Sequence, residues 1–454
     1  MSRGRISVVG AGPVGALTAI VLARHGYRVD LFEGRRDTRK TDSYEGRSIN
    51  IALSDRGWHS LARIGVETDA KRDALPMSHR AVHDTAGAIT DIPYGKPGEA
   101  IWSVSRSGIN ARLLDVAEAE PNVTLHFEHR LVDVAFDTAT THFQTPESET
   151  VNATADTVIA ADGANSKVRR LAAGETGFTD RVTTMAEAYI ELTIPAGPNG
   201  AHRLDVNALH IWPRKTFMLI ALPNPDGTFT ATLFLAADGP VSFAALDTPA
   251  AVAAFFDEHF ADAVPLLDDP VGTFLAKRPA PLVLVEAEPW SFADRVGLIG
   301  DAAHAIVPYY GQGMNCGFED CAELNDVIAA NDYDWPRIFA AFEAARKPNA
   351  DAIAELALRN FVEMSDLSGD KRFQVRKKIE AKFSEHCPEL WTPLYSMVTF
   401  SPTLPYAEAL RIGDAQDTVM DTLMSEPGIE EHWDQPFVME RLQQLATRAF
   451  GEAP

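Results

Sequence analysis

A glycine-rich turn near the N-terminus constrains the fold more than any other feature of the sequence. Residues 6–9 are mostly apolar and precede the sequence GAGPVG at positions 10–15, after which an apolar run extends to Arg24. A second apolar stretch, residues 28–33, ends in Glu33. This order predicts a strand, a tight turn, a helix and a second strand, the context in which GxGxxG binds a dinucleotide.

Each glycine of this motif has its own physical role. Gly10 permits the turn, Gly12 lets the backbone approach a pyrophosphate, and Gly15 lets the helix pack closely on the strand. The free N–H groups at the start of the helix then face the anion. Glu33 lies where a carboxylate accepts hydrogen bonds from ribose hydroxyls. The motif alone predicts FAD or NAD without separating them.

Two later segments place an aspartate at the end of a predicted strand. Asp162 follows an apolar run in the sequence TVIAAD, and Asp301 follows another in VGLIGD. Open α/β sheets present ligand-binding groups at this end of their strands. A glycine-rich loop at 311–317 then leads into a helix predicted over 318–330.

Composition excludes several classes of function. Lys and Arg total 41 against 64 for Asp and Glu, so the net charge is −23. Such a chain repels phosphate backbones and anionic lipids, and we expect neither a nucleic-acid partner nor a membrane association. Cys316, Cys321 and Cys387 lack the number and spacing of a disulfide framework or a metal site. We therefore expect no metal and a reducing, cytoplasmic setting.

Taken in order, the three nucleotide-binding segments resemble those of the FAD-dependent aromatic hydroxylases, the p-hydroxybenzoate hydroxylase-like family. The resemblance implies that FAD is the cofactor and that Asp301 binds its ribityl chain. It also implies that the glycines of the 311–317 loop let a helix N-terminus approach the flavin. A second strand-GxGxxG-helix unit is absent from the sequence, so NADPH is expected as a co-substrate without a Rossmann domain of its own.

The remaining sequence completes the expected architecture. Residues 216–223 and 227–235 predict an antiparallel hairpin, and apolar residues follow helical intervals from Trp335 onward. The expected fold class is α/β, a Rossmann-like FAD-binding domain with an inserted antiparallel β-sheet substrate domain and a C-terminal helical region. The expected segments are 1–75, 101–177 and 286–345 for FAD binding, 76–100 and 178–285 for the substrate domain, and 346–454 for the helical region.

Several phrases resemble one branch of this family, the kynurenine 3-monooxygenases. They are GRSINIALS at 46–54, PYG at 93–95, SVSR at 103–106, HIWPR at 210–214, DAAHAIVP at 301–308 and PLYSMVTF at 393–400. The resemblance implies an FAD- and NADPH-dependent enzyme that hydroxylates L-kynurenine at ring position 3, with O₂, through a flavin C4a-hydroperoxide. Unlike the animal members, this chain ends without a membrane-anchoring segment, from which we expect no membrane attachment.

The resemblance also assigns the site residues, and it names no catalytic side chain. The substrate's amino-acid group is expected to be held by Arg80, Tyr94, Asn360 and Tyr395. A guanidinium suits a carboxylate, and phenol and amide groups add orientation without negative charge. The residues expected to bind the cofactor are Gly10, Gly12, Val14, Gly15, Glu33, Arg35, Ala52, Arg106, Leu131, Asp301, Gly313, Met314 and Asn315.

Some alternatives remain open at this level. The chain could hydroxylate a related aminated or phenolic aromatic compound, or be a flavin redox sensor without turnover. His304 is expected to support its loop rather than act as a base, and Cys316 to be a small buried residue. Tyr309 and Tyr310 replace an expected Phe-Phe pair, which would add a hydroxyl to the pocket wall. The sequence predicts no particular oligomeric state.

Overall fold

The computed structural model describes residues 3–40, 50–365 and 371–451; positions 46–49 of the GRSINIALS phrase lie outside them. The described strands are β1 (Arg5–Val9), β2 (Arg28–Phe32), β3 (Asn50–Leu53), β4 (Leu75–Met77), β5 (His79–His83), β6 (Ile89–Pro93), β7 (Ile101–Ser105), β8 (Val123–His126), β9 (Arg130–Ala135), β10 (Thr140–Gln144), β11 (Thr150–Thr154), β12 (Thr157–Ala160), β13 (Thr179–Ile194), β14 (Ala208–Arg214), β15 (Phe217–Pro223), β16 (Phe229–Ala236), β17 (Ala280–Glu288), β18 (Ser291–Phe292) and β19 (Val296–Leu298). The described helices are α1 (Pro13–Arg24), α2 (Asp55–Ile64), α3 (Glu67–Ala70), α4 (Arg106–Ala119), α5 (Lys167–Ala172), α6 (Pro249–His259), α7 (Pro270–Ala276), α8 (Asp301–His304), α9 (Gly313–Ala330), α10 (Trp335–Ser365), α11 (Lys371–His386), α12 (Leu394–Phe400), α13 (Tyr406–Met424) and α14 (Pro436–Phe450).

A six-stranded sheet carries the glycine-rich turn, in the order β18-β19-β12-β1-β2-β8. β1 pairs in parallel with β2 and β12, and β12 pairs in parallel with β19. Its central strands are apolar because helices cover both faces of a parallel sheet. The strand, turn, helix and strand predicted around GxGxxG are therefore confirmed, and Asp162 and Asp301 both follow strands of this one sheet.

A seven-stranded sheet forms the second layer, in the order β17-β13-β16-β15-β14-β5-β6. The predicted hairpin is confirmed as β15 and β16, which pair antiparallel from Met218 opposite Phe234 to Pro223 opposite Phe229. β5 pairs in parallel with β14, and Arg80 faces Leu209 in that register. The segment that contains β5 and β6 thus joins the edge of this sheet, although it precedes most of the other strands by more than a hundred residues in sequence.

Two small sheets complete the described strands. β3, β7 and β4 form one three-stranded sheet, and β11, β10 and β9 form the other. The helix predicted over 318–330 begins earlier, at Gly313, so the expectation of a loop up to Gly317 is wrong. Glycine has a low helix propensity, but the packing of α9 on α2 overrides it. Gly57 on α2 leaves room for Asn315 on α9, because a Cβ at position 57 would lie 2.5 Å from the Asn315 Oδ1.

Helices form the C-terminal part, as predicted. α10 contains 31 residues and packs on both α9 and α13. Arg376 of α11 pairs with two acidic residues of α13, Asp417 and Asp421, the latter at 2.6 Å. In the part of the chain that is described, no helix has both the length and the apolar character needed to cross a bilayer.

Candidate active site

One cavity of about 360 Å³ lies between the six-stranded and seven-stranded sheets. Its walls come from the first turn of α1, the β3 strand, the seven-stranded sheet, the loop before α9, and helices α10 and α12. Of the residues expected to bind cofactor or substrate, it is lined by Gly12, Val14, Ala52, Arg80, Tyr94, Arg106, Asp301, Gly313, Met314, Asn360 and Tyr395. The cofactor-binding motif and the substrate group thus open into one space.

The first turn of α1 fits a dinucleotide phosphate. A Cβ at Gly12 would meet no atom within 4 Å, so the backbone borders open space there, whereas a Cβ at Gly15 would lie 1.8 Å from the carbonyl oxygen of Gly10. The helix has no acidic residue in its first turn and no side-chain cap, which leaves its N–H groups for an anion. Gly10 and Gly15 do not line the cavity; they shape the turn.

Glu33 lies just beyond the end of β2. Its Oε2 accepts from the backbone N–H of Ala11 at 3.1 Å, and its Oε1 pairs with Arg35 Nε at 3.0 Å. Burial raises the pKa of this carboxyl, but Arg35 and the backbone donors outweigh burial and hold it below its usual value. Glu33 is therefore an anionic acceptor fixed beside the glycine turn. Leu131, half-buried on β9, packs nearby against the main core without lining the cavity.

The loop before α9 is fixed from behind by Asn315. Its Oδ1 accepts from Ser54 N at 3.0 Å, and its Nδ2 donates to the carbonyl oxygens of Ala52 at 3.1 Å and Gly311 at 2.9 Å. Asn315 is fully buried and lies outside the cavity wall. It holds the wall in place, while its neighbours Gly313 and Met314 border the cavity.

A cation beside two stacked aromatic rings marks the other part of the cavity. The guanidinium carbon of Arg80 lies 4.7 Å from the ring centroid of Tyr94 and 4.5 Å from that of Tyr395. Tyr395 also stacks on Tyr310 at 5.5 Å with 14° between the planes. The Tyr94 hydroxyl is buried. These groups suit a planar anion such as a carboxylate.

Asn360 reaches the same cavity from α10. Its Nδ2 donates to the carbonyl oxygen of Tyr309 at 2.7 Å, so it also braces the loop that precedes α9. The Tyr309 ring stacks on Phe361 at 4.2 Å, and its hydroxyl is enclosed without a partner among the described residues. Tyr309 and Tyr310 both line the cavity, so the expectation that this pair adds a hydroxyl to the pocket wall stays a prediction.

The cavity offers little acid-base chemistry. The charged residues in its described lining are Arg80, Arg106 and Asp301, and apolar side chains form most of the remaining wall. Burial raises the pKa of the Tyr94 and Tyr310 phenols above their ordinary values, so both stay neutral. Such a site can orient a ligand and exclude water more readily than it can remove a proton.

His304 lies outside this cavity, in a buried ionic cluster. Its Nε2 is 2.6 Å from Asp320 Oδ2, and Arg346 Nε is 2.7 Å from Asp320 Oδ1. Burial lowers the pKa of His304, but the Asp320 and Cys316 side chains raise it well above its ordinary value. The imidazole is thus an ion-pair partner of Asp320 that supports its loop, as expected, and it is the last residue of α8.

The same cluster contains the one group of described residues whose spacing resembles a metal site, His304, Cys316 and Asp320. Arg346 already occupies it, since Nη2 lies 3.3 Å from the Cys316 sulfur and Nε binds Asp320. A guanidinium in the middle of the group leaves no room for a second cation. Cys316 is buried as expected, but it is an acceptor in a polar cluster.

Sequence reasoning missed the residues that fasten the cavity wall from outside. They are Ser54, Arg56, Gln312, Arg346 and Tyr406, all buried or nearly so. Their side chains bond to groups far away in sequence, such as Arg56 to the Leu404 carbonyl. A charged residue within an apolar helical face was the signal available for Arg56 and Arg346.

The chain is similar to known proteins over most of its length. The FAD binding domain family matches residues 4–357. The kynurenine 3-monooxygenase of Christiangramia forsetii is 44% identical over 443 residues, which cover 97% of this chain and 98% of that enzyme. That of Myxococcus xanthus is 44% identical over 420 residues, covering 92% of this chain and 90% of that enzyme.

Two solved structures share the fold at low identity. The tetrameric form of 2-methyl-3-hydroxypyridine-5-carboxylic acid oxygenase has a TM-score of 0.64 at 19% identity and covers 80% of this chain and 92% of its own. PqsL of P. aeruginosa in complex with 2-aminobenzoylacetate has a TM-score of 0.63 at 18% identity, covering 80% of this chain and 97% of its own. The expected fold class is confirmed. The chain belongs to the kynurenine 3-monooxygenase family of FAD-dependent aromatic monooxygenases.

Proposed function

We propose that this enzyme uses FAD, NADPH and O₂ to hydroxylate L-kynurenine at ring position 3. Family membership supports the reaction. The observation that carries the substrate assignment is the Arg80 guanidinium, which lies against the stacked rings of Tyr94 and Tyr395 in the cavity that also contains the GxGxxG turn. A small amphiphilic molecule with one carboxylate and one aromatic ring matches that combination.

The residues bordering the glycine turn would hold the cofactor. Bound FAD supplies the hydride acceptor for NADPH and the activation of O₂, a chemistry that belongs to the cofactor. We assign the pyrophosphate to Gly12 and Arg106, the ribose to Glu33 with Arg35, and the ribityl chain to Asp301. Gly10, Val14, Gly15, Ala52, Leu131, Gly313, Met314 and Asn315 complete the proposed set by shaping or bordering the site.

The other part of the cavity would bind the substrate. Arg80 takes the carboxylate, Tyr94 and Tyr395 orient it, and Asn360 holds the adjoining loop. The aromatic ring of L-kynurenine then lies among apolar side chains, such as Leu209 and Phe234. Its ring amine already enriches the ortho carbon in electrons, so hydroxylation there requires no deprotonation by the protein. The shortage of bases in the described lining agrees with this requirement.

Water has to be kept from the activated oxygen, or NADPH is consumed without product. Asn360 on α10 and Tyr395 on α12 border the cavity from the C-terminal helices, and we infer that these helices close over the ligand. NADPH oxidation is then faster with L-kynurenine than without it. A cytoplasmic setting is the natural one, since all three cysteines are free thiols.

The direct test is mass spectrometry of the product made by the FAD-loaded protein from L-kynurenine, NADPH and O₂. The expected product gains one oxygen on the ring and matches 3-hydroxykynurenine. Turnover of another aminated or phenolic aromatic compound with tighter coupling to NADPH would reassign the substrate. Absence of oxygenated product with every aromatic amino acid tested would contradict the proposal.

A further inference from the structure

A buried arginine behind the cavity joins the cofactor-binding part to the helix that carries Tyr395. Arg56 lies in the first turn of α2 and is only 1% exposed. It does not line the cavity. A buried guanidinium is costly unless each of its donors is satisfied, so its partners indicate what it holds.

Three of those partners are carbonyl oxygens, two in the last turn of α12 and one in the turn that follows it. Arg56 Nε donates to Val398, and Nη2 donates to Met397 at 3.1 Å and to Leu404 at 2.6 Å. The last carbonyls of a helix lack partners within the helix and carry its negative dipole end. One planar guanidinium therefore caps α12 and fastens the turn that follows it, a task that the single ammonium of lysine cannot reproduce.

The remaining contacts fix Arg56 to the cofactor side. Its Nη1 lies 3.0 Å from Glu319 on α9, and its guanidinium carbon lies 4.0 Å from the ring centroid of Tyr406. The Tyr406 hydroxyl donates to Gln312 Oε1 at 3.0 Å. Gln312 immediately precedes α9, so one residue ties α12, α13 and the loop beside the cavity together.

The salt bridges of the cluster beneath Arg56 do not all depend on it. Arg346 pairs with Glu319 at 3.1 Å and with Asp320 at 2.7 Å, so both carboxylates keep a cationic partner without Arg56. The carbonyl contacts of Arg56 are therefore its distinctive role.

We propose that Arg56 is a positioning residue that holds α12 against the cofactor-binding part, so that Tyr395 stays beside Arg80 when substrate binds. The inference rests on the proposed function, because the position of Tyr395 matters only if the substrate carboxylate is held there. Arg56 acts through α12 and touches neither substrate nor cofactor.

The test compares FAD-loaded wild type with Arg56→Met, Arg56→Lys and a control, Arg214→Met. Arg214 is also a buried guanidinium that donates to carbonyl oxygens, including His83 at 3.0 Å, but it lies in the seven-stranded sheet. Both Arg56 variants are expected to raise the KM for L-kynurenine at least about tenfold and to lower product formed per NADPH, with FAD affinity and flavin absorbance unchanged. Arg214→Met is expected to lower thermal stability without that loss of coupling.

Hydrogen exchange supplies a readout that does not depend on turnover. In the Arg56 variants, amides of residues 394–404 are expected to exchange faster, while those of α1 and β1 keep their protection. Wild-type KM, coupling and protection in Arg56→Lys would overturn the inference, even if Arg56→Met fails to fold. An equal coupling defect in Arg214→Met would also overturn it. If the Arg56 variants show faster exchange at 394–404 but the wild-type protein makes no product, the proposed function is refuted and the inference about α12 is not.

Discussion

Arg80 is held before any ligand arrives. Its guanidinium contacts both of the stacked rings of Tyr94 and Tyr395, so the side chain has little conformational freedom left to lose on binding. Arg80→Met is expected to raise the KM for L-kynurenine about 10- to 100-fold, the range for losing a charged hydrogen bond. Steady-state assays should include kynuramine, which lacks the carboxylate. A comparable loss with both compounds would remove the carboxylate assignment.

We expect the hydroxyl of Tyr309 to affect stability and the hydroxyl of Tyr395 to affect substrate binding. Tyr309 Oη is enclosed without a partner among the described residues, and such a group destabilises the folded state. We expect Tyr309→Phe to raise the free energy of unfolding by about 1 kcal/mol, measured with urea, and to leave the KM for L-kynurenine unchanged. Tyr395→Phe is the matched comparison and should raise that KM. A raised KM in Tyr309→Phe would show that its oxygen turns to the ligand.

At the scale of elements, the turn between β1 and α1 contains one glycine that packing requires and another that borders open space. A Cβ at Gly15 would collide with the Gly10 carbonyl, whereas one at Gly12 would enter open space. Gly15→Ala is therefore expected to destabilise the FAD-free protein by about 2 kcal/mol. Gly12→Ala should leave that stability nearly unchanged and weaken FAD binding at least about tenfold, because the methyl group takes the space assigned to the pyrophosphate.

Thermal unfolding of the FAD-free variants and titration with FAD measure the two effects separately. Equal loss of stability in both variants would mean that the open space at Gly12 is not available in solution. Equal FAD affinity in Gly12→Ala and wild type would move the pyrophosphate away from α1.

The pairing of β5 with β14 buries two histidines whose state depends on pH. His83 Nε2 lies 3.1 Å from His210 Nδ1, and His210 Nε2 donates to the Asp205 carbonyl at 2.9 Å. Burial is the main cause that lowers the pKa of His210, to about 4 from 6.5. The unfolded chain therefore binds an extra proton between these values, and stability falls as the pH falls from about 6.5 to about 4.

The expected loss is about 3 kcal/mol over that pH range. Urea unfolding of wild type and His210→Phe at pH 7 and pH 5 measures the part lost above pH 5, about 2 kcal/mol. The variant is expected to be less stable at pH 7 but to lose less on acidification. An identical pH dependence in the two proteins would assign the loss to other groups.

The elements that the sequence predicted correctly are those whose signals lie close together in the chain. The GxGxxG unit and the hairpin of β15 and β16 depend on periodicity and turn residues within about 30 positions. The pairing of β5 with β14 joins segments about 130 positions apart and has no local signal. The early start of α9 also has no local signal. Its glycines favour a loop, and the hydrogen bonds that fix this segment join Asn315 to Ser54 and Ala52, which are distant in sequence.

For the whole molecule, the net charge of −23 opposes the approach of an anionic co-substrate. NADPH carries several negative charges, whereas L-kynurenine is a zwitterion near neutral pH. Raising the ionic strength from about 10 to about 100 mM shortens the screening length from about 30 to about 10 Å. We expect kcat/KM for NADPH to rise with salt while the KM for L-kynurenine stays constant. Stopped-flow reduction at several NaCl concentrations checks this, and a falling value would indicate a basic docking site.

The site as a whole was predictable only through its resemblance to a family. Arg80, Tyr94, Asn360 and Tyr395 come from β5, the end of β6, α10 and α12, and no spacing rule connects them. The resemblance did not identify the buried groups behind the cavity wall. The main one is Arg56, whose carbonyl partners are more than 340 positions away in sequence. Such roles arise from packing in three dimensions and leave no pattern in the chain.

The distribution of the three thiols has a practical consequence. Cys316 and Cys321 are buried in the interior, whereas Cys387 is partly exposed between α11 and α12. A maleimide dye should therefore label the native protein at one place, next to the helices inferred to close. Its emission would follow their movement during a catalytic cycle, with no engineered attachment point and no chemical change within the pocket.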